Sequence, residues 1–235
     1  MLSSATTIAA VLFDMDGVLI DSNAVIERAW TEAANMYGKS LSENDIIRHI
    51  HGQPGPHTIH ALFSELQLED QQKVQAHIMQ VENTADYVPI PGVALLIQAL
   101  YRSGISVGVV TSGWREKINR VLEMLQVTHC ISVIVERNDV ARGKPYPDPY
   151  LLAAKRLSLP PCRTIVFEDS QSGVSSAVAA GCVCIGIGDE KLKEWGASMT
   201  IPDFRCVQVK SQTATQVTIS FPQRQVLAME PQVRE

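Results

Sequence analysis

The chain has 235 residues, of which 46% are hydrophobic and 19% charged, and its formal net charge is −5. That length supports one large hydrophobic core, or a core domain with a smaller companion. The mildly acidic balance lacks the basic surface that binds nucleic acids or anionic membranes, which excludes both as expected partners.

The predicted elements begin with a short strand and continue with a helical region. Residues 8–13 are uninterrupted apolar side chains, typical of a strand buried on both faces of a parallel sheet. Residues 21–86 contain no convincing strand. Their periodicity predicts helices at 24–38, 43–66 and 71–83, and a loop rich in Gly and Pro at 51–56 interrupts the second of these.

Beyond residue 86, strands and helices alternate. Strands are predicted at 105–110, 131–135, 164–167 and 182–187, and helices at 93–103, 116–125, 149–157 and 173–180. This rhythm predicts βαβ units, and hence an α/β fold with a parallel sheet into which residues 21–86 are inserted as a helical domain. The core domain then comprises 1–20 and 87–210. Residues 211–235 are predicted to form a C-terminal strand, at 217–221, or a tail that is partly disordered.

Polar side chains follow the predicted strands at the points where the strands end. In chain order they are Asp14 and Asp16, Thr111 and Ser112, Lys144 after a loop, and Glu168 and Asp169. In open parallel sheets, ligands bind beyond the carboxyl ends of the strands. We therefore expect these side chains to meet along one edge of the sheet.

Four acidic side chains at one edge repel each other, and a divalent cation relieves that repulsion. A few hard oxygen ligands, with room left for water and a phosphate oxygen, suit Mg²⁺. Lys144 adds a fixed positive charge, while the Thr111 hydroxyl and nearby backbone amides can donate to phosphate oxygens. These groups together provide the positioning and charge neutralisation that phosphoryl transfer requires.

The two aspartates at 14 and 16 can divide the chemistry between them. One carboxylate attacks phosphorus and becomes an aspartyl phosphate. The other protonates the leaving oxygen and then accepts a proton from the attacking water. Gly17 allows the sharp turn that lets both carboxylates face one substrate.

Four segments resemble the haloacid dehalogenase-like superfamily, namely residues 14–22, 109–113, 143–150 and 167–170. Their order and spacing are similar to that family over about residues 8–190, and the four motifs together are much more specific than the first alone. The resemblance implies a Rossmann-like core with a mobile helical cap at 21–86. Dehalogenating members typically lack the second aspartate, so the presence of Asp16 favours a phosphatase.

The resemblance also implies a role for each matched residue. Asp14 would be the nucleophile and Asp16 the general acid and base. Thr111 and Lys144 would bind phosphate. The metal ligands would be Asp14, the carbonyl of Asp16, and Asp169, with Glu168 contributing directly or through water.

Within the superfamily, the chain looks most like the sugar phosphatase and β-phosphoglucomutase-like group. We therefore expect a Mg²⁺-dependent phosphatase that acts on small sugar or polyol phosphates. The alternative is a sugar phosphate mutase. Those mutases usually carry a His early in the first cap helix and an Arg in the cap loop, where this sequence has Ile26 and Gly55, and both departures weaken the mutase interpretation.

Two further positions are candidates for substrate contact. Ser112 is either a second phosphate donor or scaffold, and His51 in the cap loop either contacts substrate or is merely exposed. A non-catalytic metabolite-binding module of the same fold is a further possibility, but it has no need of a nucleophile. A P-loop or dinucleotide-binding protein is excluded because the first strand is not followed by a glycine-rich fingerprint.

The cellular location is predicted from what the sequence lacks. The five cysteines form no Cys-x-x-Cys pair, so reduced thiols are the simplest interpretation. The N-terminal segment has no basic residue before the first apolar run, unlike a signal peptide. No apolar run reaches the ~20 residues that a membrane helix needs. We expect a cytoplasmic monomer whose partner is a small phosphate ester.

Overall fold

The computed structural model describes residues 7–213, 216–221 and 226–231. The strands are β1 (Ala10–Phe13), β2 (Ile20–Asp21), β3 (Val88–Pro89), β4 (Ser106–Val110), β5 (Ile131–Val135), β6 (Thr164–Glu168), β7 (Val183–Ile187), β8 (Met199–Ile201), β9 (Gln208–Thr213), β10 (Gln216–Ser220) and β11 (Val226–Met229). The α-helices are α1 (Asn23–Met36), α2 (Glu43–His49), α3 (Gly55–Phe63), α4 (Leu68–Thr84), α5 (Val93–Arg102), α6 (Arg115–Met124), α7 (Asp148–Arg156) and α8 (Gln171–Ala179).

A six-stranded sheet in the order β5-β4-β1-β6-β7-β8 forms the centre of the molecule, and all of its pairings are parallel. The predicted α/β, Rossmann-like class is therefore confirmed. Every residue of β1 is buried. Val11 and Phe13 pack in the hydrophobic cluster on one face and Leu12 in the cluster on the other, because successive side chains of a strand point to opposite faces. This arrangement explains the uninterrupted apolar sequence of β1.

Helices α1 to α4 follow β1 along the chain, before the next strand of the six-stranded sheet, β4. They enclose a hydrophobic cluster of their own, which includes Trp30, Phe63 and Val74. We call residues 23–84 the helical insertion. The antiparallel pair of β2 and β3, with Ile20 opposite Pro89, joins the two ends of the insertion. The helical stretch predicted at 43–66 forms two helices, α2 and α3, and the predicted interruption lies between them. Ser42 begins α2 with a capping box to Asp45.

The strand predicted at 217–221 is present as β10, but the C-terminal region contains two further strands that the sequence does not predict. Strands β9, β10 and β11 form an antiparallel sheet in the order β11-β10-β9, and Ile8 bridges to Met229. Val217, Ile219 and Phe221 are buried in the main core, because alternate apolar positions of this segment all face inward. Strand β8 is also absent from the prediction. Residues 222–225 and 232–235, to which the predicted tail extends, lie outside the described residues.

Among the described residues, no helix combines the length and hydrophobicity needed to cross a bilayer.

Candidate active site

The first candidate groups come together because β1, β4 and β6 are neighbours in the sheet. Asp14 follows β1, Thr111 follows β4, and Glu168 and Asp169 lie at the end of β6. Carboxylate oxygens of Asp14, Glu168 and Asp169 all lie within 4.8 Å of one another. The expectation that acidic side chains from separate strands meet at one edge of the sheet is thus met by these three.

Lys144 is the cation of this cluster. Its ammonium donates to Oδ1 of Asp14 at 2.7 Å and to the carbonyl oxygen of Val110 at 3.0 Å. It also lies 2.6 Å from Oε1 of Glu168, which in turn accepts a hydrogen bond from the Tyr150 hydroxyl at 2.5 Å. The Lys144 side chain is 4% exposed. A buried ammonium with three acceptors is held in one position, next to the carboxylate predicted to attack phosphorus.

Burial and charge shift the pKa values of this cluster. Burial raises the pKa of Asp14 to about 7, opposed by Lys144 and reinforced by Glu168 and Asp16. Burial, with Asp14 and Glu168, raises the pKa of Asp169 well above its usual range. Although burial lowers the pKa of Lys144, its carboxylate neighbours raise it overall. If all three carboxylates were ionised, one ammonium would not balance their charge, and a bound cation would favour the ionised forms.

The chain approaches Asp169 closely at Gly17. This glycine has φ +72°, and a Cβ built on it would lie 1.8 Å from Oδ2 of Asp169. Its N–H donates to the carbonyl oxygen of Ile20 at 2.8 Å and so closes the turn after the two aspartates. A glycine is required here both for the backbone conformation and for the space that the Asp169 carboxylate occupies.

Asp16 lies beside a lysine that the sequence did not identify. The Lys117 ammonium donates to Oδ1 of Asp16 at 2.6 Å and to Oε2 of Glu82 at 2.5 Å. Lys117 is on α6 in the core and Glu82 is near the end of α4 in the helical insertion. The sequence offers one weak signal: Lys117 falls in the apolar stripe of α6 with Ile118 and Val121.

A cavity of about 110 Å³ lies over this cluster, between the sheet edge and the helical insertion. Its lining includes both aspartates, Thr111, Ser112, Lys144, Lys117, Gly55, Ile26 and three larger apolar or aromatic side chains, Trp30, Ile78 and Trp114. The Thr111 hydroxyl oxygen accepts the Gly113 N–H at 3.0 Å, which leaves its own proton free to donate. Both predicted hydroxyl donors, Thr111 and Ser112, therefore border the space where a phosphate would lie.

His51 is placed differently. Its Nε2 lies 2.7 Å from Oε1 of Glu27 within the insertion, and it lines a separate and larger cleft of about 680 Å³ that also borders Asp169. It does not line the cavity over Asp14. A role for His51 in substrate contact stays a prediction.

The three clustered carboxylates suit a hard divalent cation, and their crowding fits Mg²⁺ because oxygen donors and net negative charge are what this ion requires. Asp14 and Asp169 are the better candidates as direct ligands. The Glu168 side chain is fully buried and already bonded to Lys144 and Tyr150. A Cβ on Gly173 would lie 1.9 Å from its Oε2, so Glu168 has little freedom to turn toward an ion.

Comparison with known proteins agrees with the motifs. The model of a family described as haloacid dehalogenase-like hydrolase matches residues 11–187. Hexitol phosphatase A of Escherichia coli is 35% identical over 179 residues, which are 75% of this chain and 81% of that protein. A phosphorylated carbohydrates phosphatase of Thermotoga maritima is 32% identical over 176 residues, covering 73% and 81%.

Among solved structures, an HAD hydrolase of family IA, variant 3, from Entamoeba histolytica superposes with a TM-score of 0.73 at 29% identity. The match covers 84% of this chain and 94% of that one. The resemblance inferred from the four motifs is therefore confirmed.

Proposed function

The chain belongs to the haloacid dehalogenase-like hydrolase family and is a phosphatase, and from that premise we propose that it hydrolyses small sugar or polyol phosphates through an aspartyl phosphate on Asp14, with Mg²⁺ as cofactor. The observation that carries this proposal is the contact between Asp14 and Lys144 within the cluster of three carboxylates. The sugar and polyol substrates of the named relatives support the substrate class.

In the first step, an oxygen of Asp14 bonds to phosphorus as the bond from phosphorus to the substrate oxygen breaks. Asp16 gives its proton to that leaving oxygen. Lys144 and the Thr111 hydroxyl balance the charge on the phosphoryl oxygens and hold them in place. When bound to Asp14 and Asp169, Mg²⁺ would supply further charge neutralisation at the same oxygens.

In the second step, a water oxygen attacks the phosphorus of the aspartyl phosphate. Asp16 accepts the proton of that water, the bond to Asp14 breaks, and inorganic phosphate leaves. Asp16 thus returns to the protonated form with which it began, and the cycle needs no other reactant.

We propose that the helical insertion acts as a cap over this site, as the sequence suggests for 21–86, with the core formed by 1–20 and 87–210. Its side chains Ile26, Trp30 and Ile78 form the apolar wall of the cavity over Asp14. Such a wall excludes bulk water from the reacting groups and so strengthens the electrostatic interactions around them. That the protein works as a monomer in the cytoplasm remains our prediction from the sequence.

A sugar phosphate mutase is the alternative reaction. It would need groups from the insertion that retain and re-orient a bisphosphate, at the positions of Ile26 and Gly55. Both positions border the cavity and neither offers a polar side chain. This favours hydrolysis.

The proposal is tested by phosphate release from a panel of sugar, polyol, glycolate and nucleoside monophosphates, with Mg²⁺ or with EDTA. We expect release from sugar or polyol phosphates that requires Mg²⁺ and is lost in the Asp14→Asn variant. A coupled assay for isomerised sugar phosphate separates the mutase. Hydrolysis that persists in EDTA, or in the Asp14→Asn variant, would contradict the proposal.

A further inference from the structure

Lys117 is a buried lysine to which the two-step reaction assigns no role. The residue is 1% exposed. The rings of Tyr87 and Trp114 lie beside its ammonium, with centroids 5.4 Å and 5.7 Å away. The ammonium is thus enclosed by aromatic carbon and held between the carboxylates of Asp16 and Glu82.

Stability alone does not explain a lysine at this position. Desolvating a buried ammonium and its carboxylate partners costs about as much as their attraction returns, and apolar residues of similar size commonly serve as well or better. The neighbouring buried residues Ile118, Val121 and Leu122 on the same helix are apolar. An apolar residue at 117 would continue their stripe, and this favours a functional reason for the charge.

The carboxylate of Asp16 depends on this lysine for its orientation. Among the described residues, Lys117 is the one side chain that hydrogen-bonds to it. Asp14, two residues earlier, is held from a different element by Lys144. Each of the two aspartates thus has a lysine of its own.

We propose that Lys117 is a positioning residue that holds the Asp16 carboxylate for its proton transfers, and that Glu82 ties this position to the helical insertion. The proposal rests on the proposed function, because it concerns how Asp16 performs its part of that reaction. The hydrogen bond from Lys117 at 2.6 Å holds Oδ1 of Asp16 in place. Because the two oxygens belong to one rigid carboxylate, this bond also restricts the position of Oδ2.

The link to the insertion is made where α4 ends against α6. Beside Glu82, the Asn83 amide oxygen accepts from Trp114 Nε1 at 2.9 Å, and the Asn83 amide nitrogen donates to Oε2 of Glu116 at 2.9 Å. These bonds fix the last turn of α4 to the first turns of α6. A movement of the insertion that displaces this turn would withdraw Glu82, and Asp16 would then be the one carboxylate holding the Lys117 ammonium.

The test compares two esters that differ in their need for a general acid. The leaving group of sorbitol 6-phosphate is an alkoxide, which is strongly basic and must be protonated as it departs. The leaving group of 4-nitrophenyl phosphate is 4-nitrophenolate, which is weakly basic and departs without a proton. The value of kcat/KM reports the steps up to release of the alcohol, so it isolates the half-reaction in which Asp16 is the acid. Misplacing a catalytic group by about 1 Å costs about 100-fold in rate.

For Lys117→Met we expect kcat/KM to fall about 100-fold on sorbitol 6-phosphate and by less than about 5-fold on 4-nitrophenyl phosphate. Glu82→Gln, which keeps the size and shape of the side chain, should shift the ratio of the two values in the same direction by a smaller factor. The matched control is Lys73→Met, which removes an exposed lysine of α4 and should leave both values unchanged. Near-normal activity on the aryl ester also shows that a variant is folded.

Equal losses on both esters in the two variants would mean that the contacts of Lys117 with Asp16 and Glu82 are merely structural, and would overturn the proposal. No loss on either ester would also overturn it. If Lys117→Met fails to fold, Glu82→Gln decides the outcome, and an unchanged ratio in that variant overturns the proposal. Failure of the proposed function looks different: the wild-type protein then hydrolyses neither ester, and the proposal falls with it.

Discussion

The ammonium of Lys144 lies 2.7 Å from Oδ1 of Asp14, and both side chains are at least nine-tenths buried. One buried cation thus lies among three carboxylates, two of which it contacts directly. This imbalance of charge makes the cluster sensitive to loss of Lys144, to pH and to Mg²⁺.

Removing the Lys144 ammonium should cost both activity and stability. Lys144→Ala leaves Asp14 and Glu168 without their buried counter-charge, which costs about 3 kcal/mol of the free energy of unfolding. Loss of a group that stabilises the phosphoryl charge lowers kcat by about 100-fold or more. Denaturant unfolding and steady-state kinetics measure the two effects. An active variant of unchanged stability would contradict the assigned contacts.

The raised pKa of Asp14 predicts how stability depends on pH without metal. Its folded-state pKa of about 7 lies above the ordinary aspartate value of 3.8. The folded protein therefore binds a proton that the unfolded chain has already released, and this contribution to stability is lost as the pH rises through about 7. We expect the metal-free protein to be less stable at about pH 8 than at about pH 5.

The same measurement on Asp14→Asn isolates this contribution, because that variant cannot titrate at position 14 and should lose less stability between the two pH values. Mg²⁺ should stabilise the wild-type protein more at about pH 8 than at about pH 5, since it competes with the proton for the carboxylates. Thermal unfolding with EDTA or Mg²⁺ provides both comparisons. If the stability of the wild-type protein changed with pH by the same amount as that of Asp14→Asn, the raised pKa of Asp14 would be refuted.

A pair of glycine substitutions separates backbone strain from damage to the metal site. Gly17 and Gly38 both have positive φ, +72° and +67°, and an alanine at such a position costs about 1 kcal/mol. A Cβ at Gly17 overlaps the Asp169 carboxylate, whereas one at Gly38 meets nothing within 4 Å. We expect Gly17→Ala to raise the Mg²⁺ concentration needed for half-maximal activity, and Gly38→Ala to leave it unchanged. Equal Mg²⁺ requirements in the two variants would count against Asp169 as a ligand.

The two adjacent acids at the end of β6 should contribute unequally to Mg²⁺ binding. Glu168 is committed to Lys144 and Tyr150, so Glu168→Gln should weaken Mg²⁺ binding by the roughly 10- to 100-fold that is typical for loss of an outer partner. Asp169→Asn should weaken it more, because Asp169 is the candidate direct ligand. Calorimetric titration with Mg²⁺ gives both affinities. The opposite order would make Glu168 the direct ligand.

Much of the fold and of the candidate site could be predicted from the sequence. The apolar strands and the polar residues that follow them indicate a parallel sheet, and this topology brings Asp14 and Asp169 together without any knowledge of side-chain packing. Local sequence patterns did not predict the features that depend on contacts between residues far apart in the chain. Lys117 stands beside charged residues in the sequence, and its burial depends on residues distant in the chain, namely Asp16, Glu82 and Tyr87. Strand β9 is mostly polar, and its pairing with β10 depends on a partner strand rather than on its own periodicity.

The proposed reaction depends on a bond between Asp14 and phosphorus, and trapping the aspartyl phosphate tests for that bond. The protein is mixed with Mg²⁺ and a hydrolysed sugar phosphate, quenched in acid during turnover, and digested for peptide mass spectrometry. We expect one phosphoryl group on the peptide that contains Asp14, located at that residue and absent in Asp14→Asn. A phosphoryl group on another residue, or turnover with no phosphorylated peptide when phosphoryl transfer is known to be complete, would contradict it.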